Sequence, residues 1–444
     1  MEISPIDYRY GREIIKKIFD TEERLNRMLS VEAALVRALS HFSIVPEEVA
    51  KSISEKASTK YVKVQRVNEL EKITKHDITA IIRALSEVSG NDARYIHYGA
   101  TSNDIIDTAT ALQIRDALPY IEKNLENLLT VFVTLAEKHM NVAMTGRTHG
   151  QHAVPITLGL KMAVFAAEVK RHLERIKEIK PRIIVGKMSG AVGSGAGWHD
   201  YSIELESEVM NSLGLGLDIG STQVISRDRY AEFIALLALI ATSMEKFALE
   251  MRLLQQSEIN ELQEPFEEKQ VGSSTMAQKR NPIISENICS IARFVRSFVI
   301  TEYENMPLWH ERDLSNSANE RFIIPYSIIL TDYIIWETAK IYSEATINSE
   351  NMKENLYKSI EGITAENVLL YLTDKGMNRA EAHEIVRSLY FKSLKLKTGF
   401  KNLLITEDII TEEESKKLFN IDKYIASSIT RTKYILSNIK KGVV

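Results

Sequence analysis

Apolar residues recur along most of this chain at the three- and four-residue spacing of amphipathic helices. The pattern predicts five long helices, at residues 105–140, 155–180, 227–262, 282–303 and 320–348. Within the third, residues 233–241 are apolar on every face, as expected of a helix buried in a bundle. This apolar run is too short to cross a bilayer, so we expect no membrane partner.

Long helices that follow one another in this way predict an all-α fold with a central bundle of about five long helices. We assign residues 105–350 to this bundle, residues 1–104 to an N-terminal helical domain and residues 351–444 to a small C-terminal helical domain. The two outer domains should contain shorter helices. Pro119 should kink the first long helix, and Pro155 should occupy the first turn of the second.

The composition supports a helical protein and removes several classes of site. Glycine and proline number 19 and 9 of 444 residues, about half of their usual combined share of roughly 12%. A single cysteine, Cys289, rules out an internal disulfide framework, a cysteine-rich zinc site and an iron–sulfur cluster. With 56 basic and 60 acidic residues, the chain has no overall charge that would attract nucleic acid. The first residues lack a signal-peptide pattern, so we expect a cytoplasmic protein.

Three polar or glycine-rich segments, at residues 99–104, 145–152 and 186–197, are candidates for chemistry. The first either caps a helix or binds an anion at the helix N-terminus. The second carries His149, whose imidazole suits proton transfer, although a solvated loop histidine is the plain alternative; no metal-ligand pattern accompanies it. The third lacks the glycine pattern of a dinucleotide-binding turn, which favours a flexible loop beside the substrate.

A fourth segment, residues 270–282, is the most specific of the candidates. Asn281 and Pro282 are typical of a helix cap followed by the first helical residue. Ser273, Ser274 and Lys279 then lie beside the positive end of the helix dipole. The alternative is a polar helix entry that follows a disordered loop.

A fifth segment, residues 309–321, contains two arginines with a serine between them. Arg312, Ser317 and Arg321 could hold a phosphate through bidentate guanidinium contacts. An exposed turn with salt bridges is equally compatible with this pattern.

Residues 272–282, Gly-Ser-Ser-Thr-Met-Ala-Gln-Lys-Arg-Asn-Pro, resemble the G-S-S-x-M-P-x-K-x-N-P loop of the fumarase/aspartase superfamily, with Ala277 in place of the usual proline. Residues 101–104 and 148–149 resemble two further regions of that superfamily, in the same order. The resemblance covers essentially the whole chain. It implies a helical lyase that eliminates fumarate and needs no metal or organic cofactor. Losing the proline should make the loop more flexible.

Within the superfamily, the chain is most similar to the lyases that act on succinylated purine nucleotides. The segments that carry this similarity are residues 9–10, 75–77, 222–229 and 311–321. The resemblance therefore implies nucleotide substrates and a homotetramer whose active sites are each shared between subunits.

The resemblance also implies a role for each matching residue. Ser273 would be the base and His149 the acid, with His76 supporting phosphate binding or the position of the acid. Lys279 and Asn281 would stabilise the anionic intermediate. The residues that would bind the phosphate and ribose are Arg9, Tyr10, Arg312, Ser317 and Arg321. Those that would hold the succinyl carboxylates are Thr101, Ser102, Thr148 and Gln223. The remaining substrate-binding residues would be Asp77, Ser274 and Met276.

Two other interpretations stay open at this point. Another fumarate-forming lyase, such as argininosuccinate lyase, aspartase or a carboxymuconate cycloisomerase, would share Ser273, His149 and Lys279 without needing a phosphate site. A non-catalytic helical assembly protein is the second, and the presence of the same three residues argues against it.

Overall fold

The computed structural model describes residues 4–266, 275–276 and 278–442, and most of them are helical. The helices are α1 (Pro5–Tyr8), α2 (Glu13–Lys16), α3 (Thr21–His41), α4 (Glu47–Lys56), α5 (Val64–Thr74), α6 (Asp77–Ser89), α7 (Ser102–Lys138), α8 (Leu158–Ile183), α9 (Ser202–Leu213), α10 (Asp228–Leu254), α11 (Ile283–Glu304), α12 (Ser317–Ser343), α13 (Ser349–Lys358), α14 (Ile360–Ile363), α15 (Ala365–Asp374), α16 (Arg379–Leu396), α17 (Phe400–Thr406), α18 (Glu412–Leu418) and α19 (Asp422–Lys441). The all-α prediction is confirmed.

Short strands form three two-stranded sheets in the described ranges. β1 (Ala143–Thr148) pairs antiparallel with β2 (Gln151–Thr157), and β3 (Val185–Gly186) pairs parallel with β4 (Gly216–Leu217). β5 (Leu262–Gln263) pairs antiparallel with β6 (Thr346–Ile347). Only the first sheet is longer than two residues per strand, so the sheets join helices rather than form a layer.

The five predicted long helices correspond to α7, α8, α10, α11 and α12, with corrected ends. The largest error in length is at α10, which ends at Leu254 rather than at residue 262. The chain turns after it: Asn260 adopts a left-handed φ of 48°, and Leu262 enters β5. Asparagine tolerates this backbone conformation better than most residues, so the helix ends here without a glycine or proline at the turn.

The prediction for Pro155 was wrong, because this residue lies in β2 and not in a helix. Pro155 is opposite Thr145, beside a bulge between Thr145 and Arg147, where the missing N–H of proline is tolerated. The helix begins after Thr157, whose hydroxyl accepts a hydrogen bond from the N–H of Leu160 at 3.2 Å. That threonine is the N-cap that a search for a proline start missed.

Two further boundaries differ from the sequence prediction. α12 begins at Ser317 and ends at Ser343, earlier than expected at both ends. The N-terminal region contains a longer helix than expected, because α3 has 21 residues. Its side chains Leu29, Leu35 and Leu39 are buried in the core of that region.

The chain forms two compact units, each assembled from three segments. The first contains Met1–Glu126, His172–Glu245 and Ile288–Glu337, and the second contains Asn127–Arg171, Lys246–Asn287 and Thr338–Val444. Each of the five long helices contributes residues to both units. The division at residues 104/105 and 350/351 therefore stays a prediction, and the site is described unit by unit.

Each unit has its own buried core. In the first, α3 side chains pack with Ile105 and Leu112 of α7 and with Trp198. In the second, the Phe132, Phe165 and Phe247 rings pack with centroids 4.6 to 5.5 Å apart. Two of these pairs pack edge to face and the third is tilted, and such aromatic contacts stabilise the packing of the helices that carry them. No helix in the described part of the chain is both long and apolar enough to span a membrane.

Candidate functional site

A cavity of about 590 Å³ in the first unit, called the main cavity below, is lined by many of the predicted site residues. They come from the start of α6, the start of α7, the loop before α10 and the segment that leads into α12. The predicted residues on its wall are His76, Asp77, Thr101, Ser102, Gln223, Arg312, Ser317 and Arg321. Four segments that are far apart in sequence therefore meet at one place.

The start of α7 is held by a buried carboxylate. Asp104 is fully buried and accepts a hydrogen bond from the backbone N–H of Thr101 at 2.8 Å. It also accepts from the ammonium group of Lys187, which is equally buried, and from the N–H groups of Ser189 at 3.0 Å and Gly190 at 3.2 Å. This network fixes the turn that presents Thr101 and Ser102 to the main cavity. Sequence reasoning did not assign this role to Asp104.

The glycine-rich segment at residues 186–197 differs from the expected flexible loop. Residues 187–190 are buried, because they bind Asp104 and pack under α7. A Cβ on Gly186 would lie 2.6 Å from the sulfur of Met210, so the glycine allows close packing there. Only the second half of the segment, including Val192, is exposed.

Arg312 and Arg321 lie on the wall of the main cavity and have different partners. Arg312 donates to the side-chain oxygen of Gln223 at 3.1 Å and to that of Asn103. Burial lowers the pKa of Arg312, yet a guanidinium stays charged at neutral pH. Arg321 donates to Asp77 at 2.6 Å. Both arginines keep further N–H groups that can bind an anion.

Asp77 and His76 open α6 beside these arginines. Burial opposes ionisation of Asp77, but hydrogen bonds from Arg321 and from the N–H of Ile78 outweigh it and lower the pKa of Asp77. His76 is the N-cap residue, and its Nδ1 accepts from the N–H of Thr79 at 3.3 Å. In the neutral imidazole this leaves Nε2–H as a donor for a ligand.

Three buried charges lie behind the cavity wall. Arg227 donates to Asp107 at 2.8 and 3.0 Å and to Glu320 at 3.0 and 3.1 Å. The three residues join the loop before α10 to α7 and α12. Asp107 also accepts from the N–H of Ile225 at 2.9 Å, which holds the Gln223 loop against α7. Asp107 and Glu320 each lie within the first two turns of a long helix, where acidic residues are common, so the sequence does not distinguish them.

Glu302 of α11 is a third buried acidic residue, near this group. Its Oε2 accepts from Asn305 at 3.0 Å, whereas its Oε1 has no hydrogen-bond partner among the described residues. Burial, and then the negative charge of Glu320, raise the pKa of Glu302 to about 8. Glu302 is therefore protonated in the folded protein at neutral pH.

Replacing Glu302 with glutamine should stabilise the protein at alkaline pH. Because the pKa is higher folded than unfolded, the contribution of Glu302 is full below its ordinary value of 4.5 and is lost as the pH rises to about 8. Glutamine cannot ionise, so Glu302→Gln should raise the unfolding free energy little at pH 5 and by about 2–4 kcal/mol at pH 8. Denaturant titrations at both values measure this. The exposed neighbour Glu304, changed to glutamine, is the control, and equal effects of the two variants at pH 8 would contradict the assignment.

In the second unit, His149 lies at the tip of the β1–β2 hairpin. His149 and Gly150 have φ angles of 54° and 72° and form a two-residue turn that leaves Thr148 and His149 exposed. The hairpin is anchored by Arg147, which donates to the fully buried Glu261 at 2.9 and 2.6 Å. The two-residue turn itself requires this left-handed backbone, which histidine adopts more readily than most residues.

Most, but not all, of the predicted site residues in the segment 270–282 lie within the described residues. Ser273, Ser274 and Ala277 lie outside the described residues. Met276 and Lys279 are exposed, and Asn281 is partly buried before α11.

The N-terminus of α11, which this loop leads into, already has an acidic partner within the chain. The buried carboxylate of Glu264 accepts from the N–H groups of Ile284 at 3.1 Å and Ser285 at 3.0 Å. An acidic side chain of the chain itself thus occupies the positive end of α11, which leaves less of it for a substrate carboxylate. Burial raises the pKa of Glu264, and the hydrogen bonds from Ser285 and Ile284 oppose this.

Arg9 and Tyr10 are not on the wall of the main cavity. Arg9 is exposed, its Nε donates to the hydroxyl of Tyr10 at 3.2 Å, and the Tyr10 ring lies 6.0 Å from that of Tyr333. Within the described ranges, no group of three or more histidine, cysteine or acidic side chains is arranged to hold a metal ion.

Two family models match this chain. One described as lyase matches residues 9–296, and one described as adenylosuccinate lyase C-terminus matches residues 362–433. Adenylosuccinate lyase of Pyrococcus abyssi is 50% identical over 89% of this chain and 88% of its own length. That of Methanocaldococcus jannaschii is 46% identical over 96% of this chain and 93% of its own length.

Solved structures agree with these matches. A fumarate lyase from Mesorhizobium sp. BNC1 superimposes with a TM-score of 0.88 and 29% identity, over 96% of this chain and 98% of that one. The 3-carboxy-cis,cis-muconate lactonizing enzyme from Pseudomonas putida gives 0.89 and 28%, over 98% and 99%.

Proposed function

This chain belongs to the adenylosuccinate lyase family, and we propose that it releases fumarate from adenylosuccinate, giving AMP, and from SAICAR, giving AICAR, in the cytoplasmic synthesis of purine nucleotides. The observation that carries the proposal is the main cavity, where Arg312, Ser317 and Arg321 lie with His76 on one wall. A lyase for a substrate without phosphate has no need of that cationic group.

Three residues on the wall of the main cavity support binding of the nucleotide phosphate. The planar guanidinium forks of Arg312 and Arg321 match the geometry of phosphate oxygens, and the hydroxyl of Ser317 can donate a further hydrogen bond. His76 offers its Nε2–H from the N-cap of α6. Thr101, Ser102 and Gln223 line the same cavity and supply neutral donors for the succinyl carboxylates.

The reaction is a β-elimination that proceeds through an aci-carboxylate dianion. Ser273 removes the proton from the succinyl carbon next to a carboxylate, and the freed electron pair is held on that carboxylate. The pair then forms the new carbon–carbon double bond as the carbon–nitrogen bond breaks. His149 donates a proton to the departing nitrogen, so fumarate and the amino nucleotide leave. Lys279 and Asn281 stabilise the dianion by charge and hydrogen bonding.

We further propose a homotetramer in which neighbouring chains share each active site. Ser102 and Lys138 are the two ends of α7, and a helix of 37 residues is about 55 Å long. Thr101 precedes one end and His149 follows the other. Neighbouring chains that pack antiparallel would bring the start of one such helix beside the end of another. Arg9 and Tyr10, which do not line the main cavity of their own chain, would then serve a neighbouring site.

The activity is tested by mixing the protein with adenylosuccinate and following the ultraviolet absorbance as AMP forms. Argininosuccinate, which carries no phosphate, is the matched comparison. We expect fumarate from adenylosuccinate alone. Fumarate from argininosuccinate, with unchanged adenylosuccinate, would overturn the proposal.

Replacing Arg312 or Arg321 with lysine should weaken binding of adenylosuccinate by about ten- to hundredfold. Lysine keeps the charge but cannot reproduce the planar fork. The loss should largely disappear for the dephosphorylated analogue, succinyladenosine, because that ligand never uses the fork. Michaelis constants for both substrates measure this. Arg182→Lys, which changes an exposed arginine paired with Glu232, is the control. Equal losses with and without phosphate would refute the role.

A further inference from the structure

A second, smaller cavity of about 100 Å³ adjoins the main cavity in the first unit and is called the inner cavity here. Arg312, Ser317 and Arg321 line both cavities. The inner cavity is also lined by Arg24, from the first turn of α3, a residue that the sequence patterns did not single out. Its volume is large enough for one phosphate group.

The charges on the wall of the inner cavity do not balance. Its lining contains four arginines and only two carboxylates, Asp107 and Glu320. Arg227 binds both of those carboxylates. Arg24 and Arg312 are thus left without a carboxylate partner among the described residues, although both are partly buried. A concentration of unpaired cations in a partly buried place favours an anionic occupant.

Arg24 has fewer hydrogen-bond partners than Arg312 among the described residues. Its guanidinium makes no hydrogen bond or ion pair within the described ranges, whereas Arg312 donates to Gln223 and Asn103. Arg27, one turn further along α3, pairs with Asp116 at 3.0 Å. Burial lowers the pKa of Arg24, the charge of Arg321 on the same cavity wall lowers it further, and the carboxylate of Asp77 opposes both effects.

Two buried polar atoms on the same wall also lack partners. The hydroxyl of Tyr230 and the side-chain oxygen of Asn316 are buried, and neither has a hydrogen-bond partner in the described part of the chain. Buried polar groups are nearly always satisfied, so the Tyr230 hydroxyl indicates an occupant that accepts its hydrogen bond, whereas the Asn316 oxygen needs a donor such as water. The Tyr230 hydroxyl can donate to an anion.

We propose that the inner cavity takes the phosphate group of the nucleotide and that Arg24 is its third arginine ligand, with Arg312 and Arg321. This proposal rests on the proposed function, since it deepens the phosphate site of that substrate. Three guanidinium groups around one phosphate permit more than one bidentate contact, and Ser317 and Tyr230 add hydroxyl donors. A nucleotide without phosphate would leave the inner cavity to water.

The test compares Arg24→Gln with Arg27→Gln, which removes a charge from the same helix away from the cavity. Arg24→Gln should raise the Michaelis constant for adenylosuccinate at least about tenfold and leave that for succinyladenosine within about twofold. Arg27→Gln should change neither. Inorganic phosphate should inhibit the wild-type enzyme competitively and inhibit Arg24→Gln at least about tenfold more weakly. If circular dichroism shows that Arg24→Gln does not fold, Arg24→Lys gives the same comparison with a smaller expected loss.

The outcomes separate this proposal from the proposed function. If the wild-type protein converts adenylosuccinate but Arg24→Gln loses equally with both substrates, or loses nothing, Arg24 does not bind the phosphate. If the wild-type protein does not convert adenylosuccinate, the proposed function fails. In that case, calorimetry compares the affinities of the wild type and of Arg24→Gln for inorganic phosphate. Equal affinities would overturn the assignment of the inner cavity as a phosphate site.

Discussion

Replacing Ser273 with alanine is expected to lower kcat by at least about a thousandfold, the scale on which the loss of a proton-transfer group acts. The proton on the carbon next to a carboxylate is weakly acidic, and alanine cannot accept it. Substrate should still bind, because the arginines of the main cavity are unchanged. Steady-state kinetics with adenylosuccinate, together with a binding titration of the variant, separate the chemical step from binding.

Ser257→Ala is a suitable control for this experiment, since Ser257 is an exposed serine in the turn after α10. It should leave kcat unchanged within about twofold. A Ser273→Ala enzyme that keeps a tenth of the wild-type turnover would remove Ser273 from the mechanism.

Two inactive variants are expected to regain activity when they are unfolded together and reassembled. Ser273→Ala and His149→Ala each lack one half of the acid–base pair. If a site takes its base from one chain and its acid from another, some sites in a mixed tetramer receive both intact residues. With random assembly, activity should rise from nearly none to about a quarter of the wild-type level, because each site draws each residue independently from a half-intact pool.

Differently tagged chains show whether mixed tetramers have formed, and each variant reassembled alone is the control. Mixed tetramers that form but stay inactive would mean that Ser273 and His149 serve a site from the same chain. That result would contradict the shared site while leaving the roles of the two residues intact.

The sequence predicted the helical class and the long helices because a helix with a buried face repeats apolar residues every three or four positions. One exceptional residue does not obscure that spacing. Their ends were harder to predict. The end of α10 depends on a left-handed asparagine, Asn260, and the start of α8 on a threonine cap, Thr157. Asparagine and threonine are both common in helices and in loops. A helix boundary at such a residue is therefore recognised only from its contacts in the folded structure.

For a similar reason, the sequence predicted some residues of the candidate site and missed others. Arg312, Ser317 and Arg321 stand in a compact motif, and the structure places them on one cavity wall. Asp104 binds partners that are distant in sequence, and Arg24 has no hydrogen-bond partner among the described residues. No local sequence pattern reveals either condition. The occupation of the α11 terminus by Glu264 has the same character, because the carboxylate comes from the far side of the loop.

The buried group of Asp107, Arg227 and Glu320 has a consequence for how this site can evolve. Removing Arg227 leaves two buried carboxylates without their partner, at a cost of roughly 3–5 kcal/mol. Replacing all three with well-packed apolar residues can cost little. A route that loses Arg227 first therefore passes through an intermediate that is less stable by about that amount. Selection on folding alone would then keep the three residues together, and the Gln223 loop that Asp107 holds would be inherited with them.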